Sequence, residues 1–66
     1  MTITTLTTNL NCARRYWTVN GVGWEVKRLK AEGVRRPIVR EFLHEDGRLY
    51  YLVGIEWANG DIEWRS

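Results

Sequence analysis

Two Asx-Gly dipeptides in the last third of the chain, Asp46-Gly47 and Asn59-Gly60, constrain its fold more than any other feature. β-Branched and aromatic residues flank both, and an Asp-Gly or Asn-Gly pair in that setting is the strongest short-range hairpin signal. Residues 37–65 therefore read as three consecutive antiparallel strands. A two-residue type I′ loop at Asn59-Gly60 sets Ala58 opposite Asp61, Trp57 opposite Ile62, Glu56 opposite Glu63 and Ile55 opposite Trp64. The same loop at Asp46-Gly47 sets His44 against Leu49, Phe42 against Tyr51, Arg40 against Val53 and Ile38 against Ile55. One face then gathers Ile38, Phe42, Trp57, Ile62 and Trp64, with Arg40 as its misfit, and Trp57 and Trp64 are expected in the core.

Upstream, two readings compete. With residues 20–23 as a loop, Val19 meets Trp24 and Trp17 meets Val26 on one face, while Thr18 meets Glu25 and Tyr16 meets Lys27 on the other. That register favours a hairpin. The alternative is a helix over residues 24–32 with Gly33 as its C′ residue, which would begin beside two glycines, each costing about 1 kcal/mol in a helix interior. The threonine-rich start suggests an edge strand over residues 2–7 anchored by Ile3 and Leu6, within a segment 1–12 that frays unless paired. Pro37 fits the first position of a strand, where its missing N–H is tolerated.

The strand over residues 48–58 is long, and Gly54 in its middle is expected to mark a bulge or bend that lets one strand serve two sheets. The run from Asp46 to Trp64, a hydrophobic strand entering a short Asx-Gly turn and a return strand, resembles the central hairpins of SH3-like barrels of the Tudor type. That resemblance implies a binding module and not an enzyme. The expected fold is all-β: a small antiparallel five- or six-stranded sheet closing into an SH3-like barrel, with α+β (residues 24–32 helical) as the alternative.

At 66 residues the chain reads as one small domain, 1–66, and as a complete small gene product. A domain of this size buries only about 60% of its unfolded surface, so its eight aromatic side chains carry much of the core. The lone Cys12 excludes an internal disulfide, and one Cys with one His falls short of an N/S zinc site. No cofactor or metal is implied. Neither a signal-peptide pattern nor a membrane-length apolar run is present, so a cytoplasmic location is expected. Catalysis would have to use Cys12, a threonine or His44 without any spacing that ties them together, and paired Glu56 and Glu63 fit a solvent-facing hairpin better than a glycosidase pair. The chain reads as a non-enzyme.

Charge is unevenly laid out. Residues 1–40 hold eight basic groups (Arg14, Arg15, Lys27, Arg28, Lys30, Arg35, Arg36, Arg40) against Glu25 and Glu32, a net +6. Residues 41–66 hold Arg48 and Arg65 against Glu41, Glu45, Asp46, Glu56, Asp61 and Glu63, a net −4, which gives +2 overall. Two function classes follow. In the first, the chain is a module for protein–protein contact through Glu56, Glu63, Arg65 and Tyr50, an acidic strand face suited to receive a partner's Arg or Lys. A stand-alone inhibitor or adaptor encoded by a phage or mobile element, for example one blocking a host defence nuclease, fits that description. In the second, it binds nucleic acid, with Arg14, Arg15, Lys27, Arg28, Arg35 and Arg36 on phosphates and Tyr16 or Tyr50 stacking on bases. The six C-terminal acids rank the protein partner first. A homodimer formed by pairing an open strand edge is a further expectation.

Overall fold

The structure, a computed structural model, describes residues 5–66. The order of elements is β1 (Leu6–Thr7), a 3-10 turn (Leu10–Cys12), α1 (Val19–Ala31), β2 (Pro37–Leu43), β3 (Leu49–Glu56) and β4 (Ile62–Arg65). The strands form one antiparallel sheet in the order β1-β4-β3-β2. This is an open α+β sheet with one helix against it, and the expected all-β barrel is overturned. Its edges, β1 and β2, do not meet. Residues 2–4 of the expected N-terminal strand, Ile3 included, lie outside the described residues.

The helix replaces the expected hairpin over residues 16–27 because its local signals agree better than the cross-strand pattern does. Thr18 is extended and its hydroxyl accepts the Gly21 N–H at 3.1 Å, an N-cap of the ordinary kind. Gly21 is suited to this first turn, since a Cβ there would sit 3.1 Å from Thr18 Oγ1 and 3.5 Å from the Tyr16 ring. At the other end Gly33 has φ 101°, its N–H donates to Lys30 O, and the Val34 N–H donates to Leu29 O, which together make a Schellman cap. The inward stripe is Val22, Glu25, Val26 and Leu29, at helical spacing. An acid inside that stripe hides it from a hydrophobicity reading, and Trp24, which looks like a core residue, is 72% exposed.

Both hairpins turn as expected but one residue out of the expected register. Leu43 pairs with Leu49 and Phe42 with Tyr50; Glu56 pairs with Ile62 and Ile55 with Glu63. At each turn a four-residue bend closes with a backbone bond, Gly47 N–H to His44 O and Gly60 N–H to Trp57 O, both 2.9 Å. Only the glycines have positive φ, 89° at Gly47 and 91° at Gly60, whereas a type I′ loop needs two such residues in a row. The preceding Asx residue is held by its own side chain: Asp46 Oδ1 accepts the Arg48 N–H and Asn59 Oδ1 the Asp61 N–H, each at 3.0 Å. The result at both ends is a three-residue loop ending in a G1 bulge.

Because the slip occurs on both sides of β3, β2 and β4 keep their phase and only the middle strand turns over. Strand alternation places Tyr51, Val53 and Ile55 with Val39 and Arg65 on the helix face, where Val53 and Leu29 are fully buried. The opposite face carries Tyr50, Leu52 and Gly54 with Ile38, Phe42, Ile62 and Trp64. Here Leu52 and Trp64 are buried together with Ala13, and Ile38, Phe42, Tyr50 and Ile62 pack around them. Trp57, expected in the core, is 44% exposed. Gly54 marks no bulge: the β2–β3 register runs unbroken from Pro37↔Ile55 to Leu43↔Leu49, and the glycine is there because the Glu63 backbone and the Trp64 indole both lie against it.

Candidate functional site

Beside the first half of β3, where β4 does not reach, the chain before the helix takes a strand-like place. Tyr16 and Tyr51 exchange backbone bonds at 2.9 and 2.8 Å, and the Arg14 N–H donates to Arg65 O at 2.7 Å. Alternation along this segment turns Tyr16 to the helix face and sends Ala13, Arg15 and Trp17 to the other one. The hairpin end of the open sheet face thereby receives an aromatic run. Trp17 and Tyr50 ring centroids are 5.4 Å apart, and Tyr50 stacks on Phe42 at 5.6 Å with 17° between planes.

Arginines lie on these rings. The Arg15 guanidinium is 4.8 Å from the Tyr50 centroid and that of Arg48 is 4.5 Å from the Trp17 centroid, both within cation–π range. Arg40 is exposed on the neighbouring edge strand, with its side chain on the same face. His44 meets the edge of Trp17 at 5.3 Å, and its Nδ1 is 2.9 Å from Asp46 Oδ1. The other Asp46 oxygen accepts from Arg48 Nε. The backbone bond from Arg48 is the largest of several effects that lower the Asp46 pKa from 3.8 to about 2, followed on the same side by the Arg48 and His44 side chains. One carboxylate thus braces the two groups that flank Trp17.

The residues assigned to protein contact are dispersed. Glu56 is exposed, Glu63 points to the other face and is half-buried, and Arg65 is buried in an ion pair with Glu25; only Tyr50 lies on the aromatic run. Of those assigned to nucleic acid, Arg15 joins the run, while Tyr16 is half-buried on the helix face, where burial and then the Glu25 charge raise its pKa. Arg14 is exposed, Lys27 lies 5.8 Å from the Trp24 centroid on the outer surface of the helix, Arg28 is exposed in its last turn, and Arg35 and Arg36 are exposed beyond it. Sequence reading missed Trp17, Phe42, His44, Asp46 and Arg48 as one site. The alternation Arg15-x-Trp17 was a signal for it, but only the true register brings it beside Tyr50.

No family model, curated protein or solved structure matches this chain. Among the described residues, no group of three or more His, Cys, Asp and Glu is arranged to hold a metal ion, and no helix is long and apolar enough to cross a membrane.

Proposed function

We propose that the chain is a non-enzymatic binding module that holds single-stranded nucleic acid on the open face of its sheet. The observation that carries this reading is the run Trp17–Tyr50–Phe42 flanked by Arg15, Arg48 and Arg40. Flat rings accept bases of any identity, guanidinium groups stack on bases and pair with phosphates, and a shallow basic sheet face suits an unpaired strand. The protein-contact reading loses its patch, because Glu56 and Glu63 sit on opposite faces and Arg65 is buried. Five of the six C-terminal acids are turned away from the platform or paired beside it, and the sixth, Glu45, is exposed in the turn at its end. Glu41 and Glu63 point to the helix side, Glu56 and Asp61 belong to the other end of β3, and Asp46 is tied to Arg48. A cytoplasmic location suits such a ligand and an exposed, unpaired Cys12.

Fluorescence anisotropy with labelled oligo(dT) and oligo(U) of about 12 nucleotides tests the proposal. Binding should occur at low salt and weaken with a log–log slope of roughly −0.7 per phosphate engaged. Trp17→Ala should lower affinity by about 1–3 kcal/mol, the usual worth of one stacked base. No binding to either oligomer at low salt overturns the assignment and returns the face to a protein partner, for which Trp, Tyr and Arg are equally apt.

A further inference from the structure

At the end of the sheet away from the aromatic run, the connection after α1 and the end of β3 splay apart beyond the Pro37↔Ile55 pair. Between them lies a groove of about 740 Å³, inside the roughly 300–1,000 Å³ range of small-ligand sites. Val34 and Ile55, both half-buried, supply apolar wall, and Trp57 presents an indole that is 44% exposed. Arg35 and Arg36, which follow Val34 in the connection, also line the groove. Both are exposed, and neither forms an ion pair among the described residues.

This grouping has no evident role in stability. A large ring half in water and two adjacent arginines without carboxylate partners contribute little to the fold. We propose that the groove is a second binding site, for a nucleoside phosphate: Trp57 stacks on the base, and Arg35 and Arg36 take the phosphate, a pairing of ring and fork-shaped cation that suits both parts of such a ligand. The acids on the lining fit this class better than they fit a bare anion. Glu56, exposed beside Trp57, offers acceptor oxygens to ribose hydroxyls or an exocyclic amine, and its charge disfavours inorganic phosphate or sulfate alone. The site is separate from the sheet face and does not depend on that reading.

Two sources would present this chemistry, a free mononucleotide and the phosphorylated end of a strand. ¹⁵N–¹H spectra of the full chain, titrated with AMP, GMP, CMP and UMP and separately with adenosine and inorganic phosphate, test the site. Saturable shifts of the Trp57 indole N–H and of the Arg35 and Arg36 amides are expected with at least one nucleotide and not with phosphate. Arg35→Gln with Arg36→Gln should weaken them about tenfold or more while the Trp64 indole signal stays in place, showing an intact fold. Trp17→Ala should leave them unchanged. Comparing a short oligonucleotide with and without a 5′-phosphate separates the sources: tighter binding by the phosphorylated end assigns the strand end, and equal binding assigns the free nucleotide. Absence of Trp57 shifts with every nucleotide up to about 10 mM, the same shifts with phosphate alone, or full retention in the double variant each overturn the proposal.

Discussion

Arg65 Nε donates to Glu25 Oε1 at 2.8 Å, and both side chains are buried, so the last strand and the helix are joined across 40 residues of chain by one ion pair. Arg65 also donates to the backbone oxygens of Thr5 and Ser66, which ties the start of the described chain to its end. The pair lies on the helix side of the sheet, opposite the candidate site, and fixes how the helix sits.

Removing one partner leaves an uncompensated buried charge, so Arg65→Met should destabilise the domain by about 3–5 kcal/mol. Glu25→Leu combined with Arg65→Met should recover most of that loss, because well-packed apolar replacements of a buried pair are often neutral or stabilising. Urea denaturation of the two variants checks both outcomes; a double variant as unstable as the single one would show that the pair does more than satisfy itself.

Gly54 and Trp64 make a second long-range constraint. A Cβ on residue 54 would collide with the Glu63 carbonyl oxygen and lie 2.9 Å from Trp64 Cε3. Gly54→Ala must therefore push β4 away from β3, at a cost of at least the ~1–3 kcal/mol typical of overpacking. A melting temperature equal to the parent's would mean that the indole does not rest on this glycine.

The positions of the two hairpin turns were legible in the sequence, whereas the helix, the open sheet and the register were not, and the parts that were missed share physical causes. The turns at Asp46-Gly47 and Asn59-Gly60 were found because Asx-Gly is so strongly biased toward bends. Their type was not, because the same dipeptide serves both a type I′ loop and a type I turn with a G1 bulge, and only the Asx side-chain bonds to Arg48 and Asp61 select the second. One residue of slip is enough to turn β3 over. That exchanged Trp57 for Tyr50 and Leu52 on the packed face and separated Glu56 from Glu63. The helix was obscured by Glu25, whose partner Arg65 could not be guessed from 40 residues away.

The exchange has a direct test in the two tryptophans of the last hairpin. Trp64 is only 7% exposed, so Trp64→Ala should cost about 3–5 kcal/mol. Trp57 is largely outside, and Trp57→Ala should cost about 1 kcal/mol or less. Chemical denaturation of both variants decides the register, since equal losses would favour the type I′ pairing in which both rings are core.

Tyr16 offers a contrast between packing and polarity. Its hydroxyl is buried without a hydrogen-bond partner of good geometry among the described residues, although the Glu25 charge reaches it closely enough to help raise its pKa. An unpaired buried hydroxyl is a cost to the fold, so Tyr16→Phe should leave the melting temperature equal or higher. A clear fall would show that Glu25 accepts from this phenol in solution.

Asp46 links the stability of the β2–β3 turn to pH. Its pKa is lowered on folding, from 3.8 to about 2, chiefly by the Arg48 N–H and then by the side chains of Arg48 and His44. For a carboxylate depressed in the folded state, the ionised form is favoured by the fold, so its stabilising contribution is fully present above the unfolded value of 3.8 and disappears as pH falls through about 2. Asp46→Asn keeps an acceptor for the Arg48 N–H but has no charge to lose. The melting temperature of the parent should therefore exceed that of the variant at neutral pH, with the gap closing between pH 3.8 and about 2, while carboxylates common to both proteins drop out of the difference. The same substitution frees Arg48 and His44 from their shared brace beside Trp17, so oligonucleotide binding by the variant at neutral pH should weaken even at temperatures where it is fully folded. Parallel melting curves across the acid range would remove the electrostatic role, and unchanged binding would show that Trp17 holds its place without it.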